Sequence, residues 1–247
     1  MSYQTSQIAK IIGVHPNTVR FYEEIEFISP VPRRANGYRV FSSLHLEQLK
    51  LVRIALSTQL LSNNLRKEVI EIIKSTARNE IEYAISLAHD HKSHVLEEKC
   101  RAEEAIALVE SIIGGKEKLE IDCPTFGRKD TSLSLGVTKE VLRNWERNGL
   151  ITVPRNSAGY RRYGRKELGR LKIIYILRQA NFSMVSILRM LQELDKGNMD
   201  VRSSIDTPNA GEDIIRATDR YLYTLSEEEI TVQKIIDQLM VISSQNY

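Results

Sequence analysis

The chain has 247 residues, 42% of them apolar and 6% aromatic, with 12 Gly, 6 Pro and a formal net charge of +3. That apolar fraction supports a packed core and excludes wholesale disorder, and so few breakers favour long helices over many-turned all-β architectures. No apolar run reaches the ~18 residues of a membrane span, and Met1-Ser2-Tyr3-Gln4 lacks signal-peptide character. Two cysteines, Cys100 and Cys123, make no disulfide framework, so a soluble, helical, intracellular protein is expected.

In chain order, Thr5 or Ser6 can cap a first helix with Ile8, Ile11 and Ile12 on its apolar face. Gly13 ends it, because glycine tolerates the left-handed backbone of a sharp turn. His15 or Asn17 opens a second helix, with Pro16 early, where a missing N–H costs little. Val19, Tyr22 and Ile25 can face the core, which directs Thr18 and Arg20 elsewhere. Such a helix–turn–helix can place its second helix in a DNA major groove. Next comes Arg33-Arg34-Ala35-Asn36-Gly37-Tyr38-Arg39, where Asn36-Gly37 signals a hairpin. The result is a small wing presenting arginines and Tyr38, groups that bind phosphate. Tyr38 can equally pack on its hairpin.

From residue 79 a long helix is expected. Ile81, Ala88, Val95, Ala102 and Val109 fall seven apart, and Ile85, Ile106 and Ile113 lie four beyond three of them, which is a coiled-coil seam. It spans about 50 Å at 1.5 Å per residue. The seam weakens at His91, Lys92, Glu98 and Lys99, read as a solvated polar break. The helix ends at Gly114-Gly115.

The second half then repeats the first. Gly13-Val14, Thr18-Val19-Arg20-Phe21-Tyr22-Glu23 and Phe27-Ile28 return as Gly136-Val137, Val141-Leu142-Arg143-Asn144-Trp145-Glu146 and Leu150-Ile151. Pro32-Arg33 and Gly37-Tyr38-Arg39 return as Pro154-Arg155 and Gly159-Tyr160-Arg161. The offset is 123 residues before the prolines and 122 after, one loop deletion. Arg162, Arg165 and Lys166 add charge behind the second wing. Thr131, Ser132 and Ser134 replace apolar positions of the first helix, so that helix buries less. After the second module, Leu225, Val232 and Leu239 fall seven apart. So do Ile214, Tyr221, Ile235 and Ile242, with Glu228 interrupting.

Charge follows the same division. Residues 1–78 hold 11 Lys/Arg against 6 Asp/Glu, 79–122 hold 5 against 11, 123–200 hold 15 against 7, and 201–247 hold 4 against 8. Two basic modules, each followed by an acidic helix, suggest two polyanion-binding units.

These motifs resemble the MerR family of bacterial transcription regulators, over roughly residues 3–76 and again 126–195. The resemblance implies a mainly α fold with two winged helix–turn–helix domains, each followed by a long coiled-coil helix. The boundaries are 1–78 for the first head, 79–115 for the first coil helix and 116–125 for a linker. The second head is 126–197, with a linker at 198–211 and the second coil helix at 212–245. The resemblance implies binding to double-stranded promoter DNA, distortion of that DNA and cooperation with RNA polymerase holoenzyme. Family members are usually homodimers, but here two helices of one chain can pair, giving a single-chain pseudo-dimer and an imperfectly palindromic site. A homodimer with four heads is the rival arrangement. The candidate DNA contacts are Asn17, Thr18, Arg20, Tyr22, Arg33, Tyr38 and Arg39, then Lys139, Arg143, Trp145, Arg155, Tyr160, Arg161 and Arg162. Val141 stands where the first copy has Thr18.

No nucleotide loop, nucleophile elbow or metalloprotease motif is present, so no catalytic residue, cofactor or enzyme activity is expected. Glu23 and Glu146 are expected to pair with a neighbouring arginine. No metal site is expected: Cys123 lacks partner thiols, and His91 with His94, beside His89, is better read as coil surface. Whether a small-molecule effector exists stays open. The expected setting is the bacterial cytoplasm, at the nucleoid, without membrane contact. Two alternatives are an architectural DNA-bending or recombination accessory protein and a protein-interaction adaptor.

Overall fold

A computed structural model describes residues 2–57, 63–115, 126–206 and 220–245. It is mainly helical and divides into two compact units. The first holds residues 1–97 and 224–247, the second residues 98–223. Cys123, Ile214 and the expected linker 116–125 lie outside the described residues, as do 207–211 and the start of the expected coil helix at 212–219.

In the first unit, β1 (Ser2–Tyr3) leads into α1 (Thr5–Ile12) and α2 (Pro16–Glu24). β2 (Phe41–Ser42) pairs antiparallel with β1, Tyr3 opposite Phe41, and feeds α3 (Ser43–Ala55). The α1 N-cap is Gln4, one residue before the expected Thr5, and its N–H donates to Gln7 Oε1 at 2.8 Å. Gly13 adopts φ +69° and closes α1. His15 caps α2 by accepting from the Asn17 N–H, and Pro16 occupies the first turn. α4 (Asn63–Ala77) and α5 (Ile81–Ile113) follow. Ile8, Val19, Phe41, Leu49, Val52, Ile72 and Ile73 form the centre of the core. Buried Gln48 ties the layers together, donating to Ser29 Oγ at 2.7 Å and to the Thr76 carbonyl at 3.0 Å.

The second unit repeats the plan with α6 (Arg128–Ser134), α7 (Lys139–Arg147), α8 (Arg165–Gln179) and α9 (Met184–Asp195). A Phe126–Tyr163 bridge replaces the β1–β2 pair. α6 has 7 residues against 8 in α1. Its buried Thr131 and Ser132 hydroxyls donate to the Gly127 and Lys129 carbonyls, which satisfies them inside the core. Residues 201–206, expected within a linker, instead form α10 (Val201–Asp206). Val201 and Ile205 are buried, and Arg189 donates to the Ser204 and Ile205 carbonyls at the helix end. Those capping bonds and that apolar burial make a packed element of it.

The last helix, α11 (Tyr221–Ser244), buries Leu225, Val232, Ile235, Leu239 and Ile242 as the spacing predicts. On α5, Ala84, His91, Ala105 and Ile112 are buried three residues beyond Ile81, Ala88, Ala102 and Val109, and Ile106 is buried as expected. The positions three residues along correct the expected Ile85 and Ile113, which are only half buried. The expected solvated break is also corrected. His91 is fully buried in the first unit, with Nε2 3.0 Å from Glu228 and Nδ1 2.7 Å from Glu68. In the second unit the Tyr221 hydroxyl donates to Glu98 at 2.7 Å. Burial together with the Glu98 hydrogen bond pushes that phenol well above its ordinary range. In both places a polar residue of α5 meets a polar residue of α11.

Candidate nucleic-acid interface

Each unit holds the same small assembly of a short second helix and a cation-rich hairpin, and each is built by its own local rules. In the first, the Gly37 N–H donates to the Arg34 carbonyl and the Arg34 N–H to the Tyr38 carbonyl. Gly37 has φ +80° while Asn36 stays right-handed, so the loop is a type I turn closed by a left-handed glycine. A bridge between Arg33 and Arg39 and a bond from the Val40 N–H to the Pro32 carbonyl complete the wing. In the second unit, Asn156, Gly159 and Tyr160 make the same bonds, Gly159 has φ +81°, and Arg155 bridges Arg161. The two tip tyrosines are 72% and 71% exposed, so Tyr38 and Tyr160 do not pack on their hairpins.

An ion pair straps each wing to its helix. Arg39 binds Glu23 of α2, and Arg161 Nε donates to both Glu146 oxygens of α7 at 2.7 Å. The strap uses the Nε edge and leaves the two arginines partly exposed. On α2, exposed Arg20 donates to Asn17 Oδ1 at 2.8 Å, which holds both side chains above the helix. Thr18 is half buried beside them. On α7, Arg143 pairs with Glu140 at 2.9 Å with both side chains exposed, a contact worth little in water. Lys139 is exposed at the start of α7, and Arg33, Arg155 and Arg162 are exposed on the wings.

Two candidate contacts are corrected. Tyr22 is 7% exposed and stacks on Phe27 with ring centroids 6.2 Å apart, and Trp145 is 4% exposed. Both lie one helical step from a core residue, Val19 or Leu142, and face inward with it. They support the helix from behind. Phe21, half exposed on α2, was absent from the candidate set. So was Arg128 at the start of α6, whose guanidinium lies 3.5 Å from Glu146. The signal for Arg128 was available, since the first copy has Thr5 at that position.

In the first unit a cavity of about 780 Å³ is lined by Glu23, Ser29, Lys74 and Arg78 among others. Among the described residues no group of three or more His, Cys, Asp or Glu is placed to hold a metal ion. No described helix is long and apolar enough to cross a membrane.

Residues 4–41 match the model of the MerR family regulatory proteins, and residues 129–194 match the model of MerR HTH family regulatory proteins. The HTH-type transcriptional regulator CueR of Escherichia coli O6:H1 is 44% identical over 50 residues, 20% of this chain and 37% of that protein. CueR of Salmonella typhimurium is 28% identical over 124 residues, 48% of this chain and 86% of its own. A mercuric resistance operon regulatory protein of Bacillus cereus is 35% identical over 72 residues, 29% of this chain and 54% of its own. The chain thus spans well under half the length of the first of these and most of the second. No solved structure gives a significant match. With one matched region on the α1–α2–wing segment and the other on α6 to α9, the chain carries two regions similar to the MerR family regulators.

Proposed function

We propose that the protein is a sequence-specific, DNA-binding transcription regulator that acts on promoter DNA and has no enzymatic role. The observation that carries this reading is the repeated assembly of an exposed arginine on a second helix, Arg20 or Arg143, beside a hairpin that offers an exposed tyrosine and further arginines. Helix arginines read base edges in the major groove, and wing residues grip phosphates. The Arg39–Glu23 and Arg161–Glu146 straps keep reader and anchor at a fixed spacing.

The regulator acts as a single-chain pseudo-dimer that bends its site for RNA polymerase holoenzyme in the cytoplasm, at the nucleoid. The His91–Glu228 and Glu98–Tyr221 pairs between α5 and α11 support this, since the helix partner a homodimer would supply is already in the chain. Selection of bound duplexes from a random pool tests the function: two unequal half-sites in one footprint are expected, and no enrichment would overturn it. A solution mass of 28.3 kDa is expected when free. A concentration-independent doubling would overturn the pseudo-dimer.

A further inference from the structure

The second head contains a cleft of about 540 Å³ lined by Gly127, Arg128, Arg155, Tyr160, Arg161 and Arg162. Four guanidinium groups surround it and no carboxylate lines it. Arg128 is the informative member. Its Nε and Nη2 are buried with no hydrogen-bond partner among the described residues. Its nearest acid, Glu146, sits 3.5 Å from Nη2 and is already taken through both oxygens by Arg161 Nε. Arg155 uses one N–H to brace the Gly159 carbonyl. Arg162 has an exposed side chain. Guanidinium N–H groups buried without a hydrogen bond carry a desolvation penalty, which an incoming oxyanion removes by accepting them.

The first head lacks this arrangement. With the 123- and 122-residue offsets, Arg128 corresponds to Thr5 and Arg162 to Val40, while Arg155, Tyr160 and Arg161 have direct counterparts in Arg33, Tyr38 and Arg39. Two cations have thus been placed around one point in one copy only.

We infer that this cleft is a phosphate-binding pocket, with Arg128 as its inner ligand, that seats one backbone phosphate of the DNA and makes the second head the stronger electrostatic anchor. The inference rests on the DNA-binding reading above. Neutral-for-cation replacement at Arg128 removes a phosphate contact without touching the reading face of α7.

The test uses the full chain with Arg128→Gln, and Arg162→Gln as a second variant in case the first does not fold. Affinity for a selected duplex is measured against salt, and inorganic phosphate is titrated in without DNA while the Arg128 Nε–H resonance is followed. The expected result is a Kd raised about tenfold on all sequences alike, with the salt slope reduced by about 0.9. Ethylation of one phosphate in the second half-site, which blocks the parent protein, no longer matters to the variant. Inorganic phosphate shifts the Arg128 resonance saturably in the parent. An unchanged slope with that shift intact would overturn the backbone assignment and make the cleft a site for a free phosphorylated ligand. An unchanged slope with no shift overturns the pocket altogether. If the parent chain binds no duplex, the functional reading fails, and the phosphate titration alone decides the pocket.

Discussion

Replacing His91 by leucine isolates the polar layer between α5 and α11. The side chain is fully buried, so leucine of similar bulk leaves no large void. What is lost is the hydrogen bond to Glu228, itself fully buried, and the bond to the partly exposed Glu68. Water can re-solvate Glu68. Glu228 cannot be re-solvated in place, and its Oε2 already lacks a partner among the described residues. Stranding that carboxyl should cost about 3–5 kcal/mol, the usual penalty for removing one member of a buried pair. The double variant His91→Leu with Glu228→Leu removes both members and should recover to within about 1 kcal/mol of the parent or exceed it. Urea unfolding followed by circular dichroism reads both, with an unchanged slope showing that only stability moved. The pH adds a second signature. Burial opposes a charge on His91, but its hydrogen bonds to the Glu228 and Glu68 carboxylates outweigh it and hold its pKa above the ordinary 6.5. The folded chain therefore binds a proton that the unfolded chain gives up. This stabilisation is complete below pH 6.5 and is lost as pH rises through the folded value. The His91→Leu penalty should shrink over that rise. A loss under 1 kcal/mol, or a double variant weaker than the single, would refute the reasoning.

Other outcomes follow from the heads themselves. Arg20→Ala should relax preference at one base pair by about 1–3 kcal/mol in a base-substitution binding series. Arg39→Ala should weaken binding to every sequence and lower the salt slope by about 1, and identical profiles for the two variants would undo the division into reader and anchor. Tyr38→Phe and Tyr160→Phe keep the ring but lose the hydroxyl, so a uniform few-fold loss of affinity is expected with folding unchanged. Burial lowers the pKa of His45 below 6.5, so the unfolded chain takes up the extra proton. Stability should fall as pH drops below 6.5, and His45→Gln should flatten that acid limb in urea titrations.

The duplication was legible because turns impose backbone demands that only a few residues meet. Gly13 and Gly136, then Gly37 and Gly159, all stand at φ between +65° and +81°. The heptad step on α5 was legible for the same kind of reason, since burial recurs with the helix period. Its polar layer was not. His91 and Glu228 are 137 residues apart, and a polar group satisfied at that distance leaves no periodic trace in either helix. Tyr22 and Trp145 carried two messages at once. The family resemblance pointed them at DNA, while helical phase set them one step from Val19 and Leu142, and the phase decided their burial. Arg128 was invisible within its own copy and stands out only against Thr5. The α10 segment was missed because six residues give little pattern, and what holds it is Arg189 from another helix.

A mutation in an ordinary homodimer is felt twice, once on each side of its symmetry axis. Here the two copies sit in one gene product, and a change such as arginine for threonine at the start of a helix alters one side alone. If the heads read DNA as proposed, each side can drift toward its own operator sequence, or toward grip at the expense of discrimination, without dragging its twin along. In the proposed pseudo-dimer, tandem fusion converts a symmetric reader into one whose recognition can be tuned half by half.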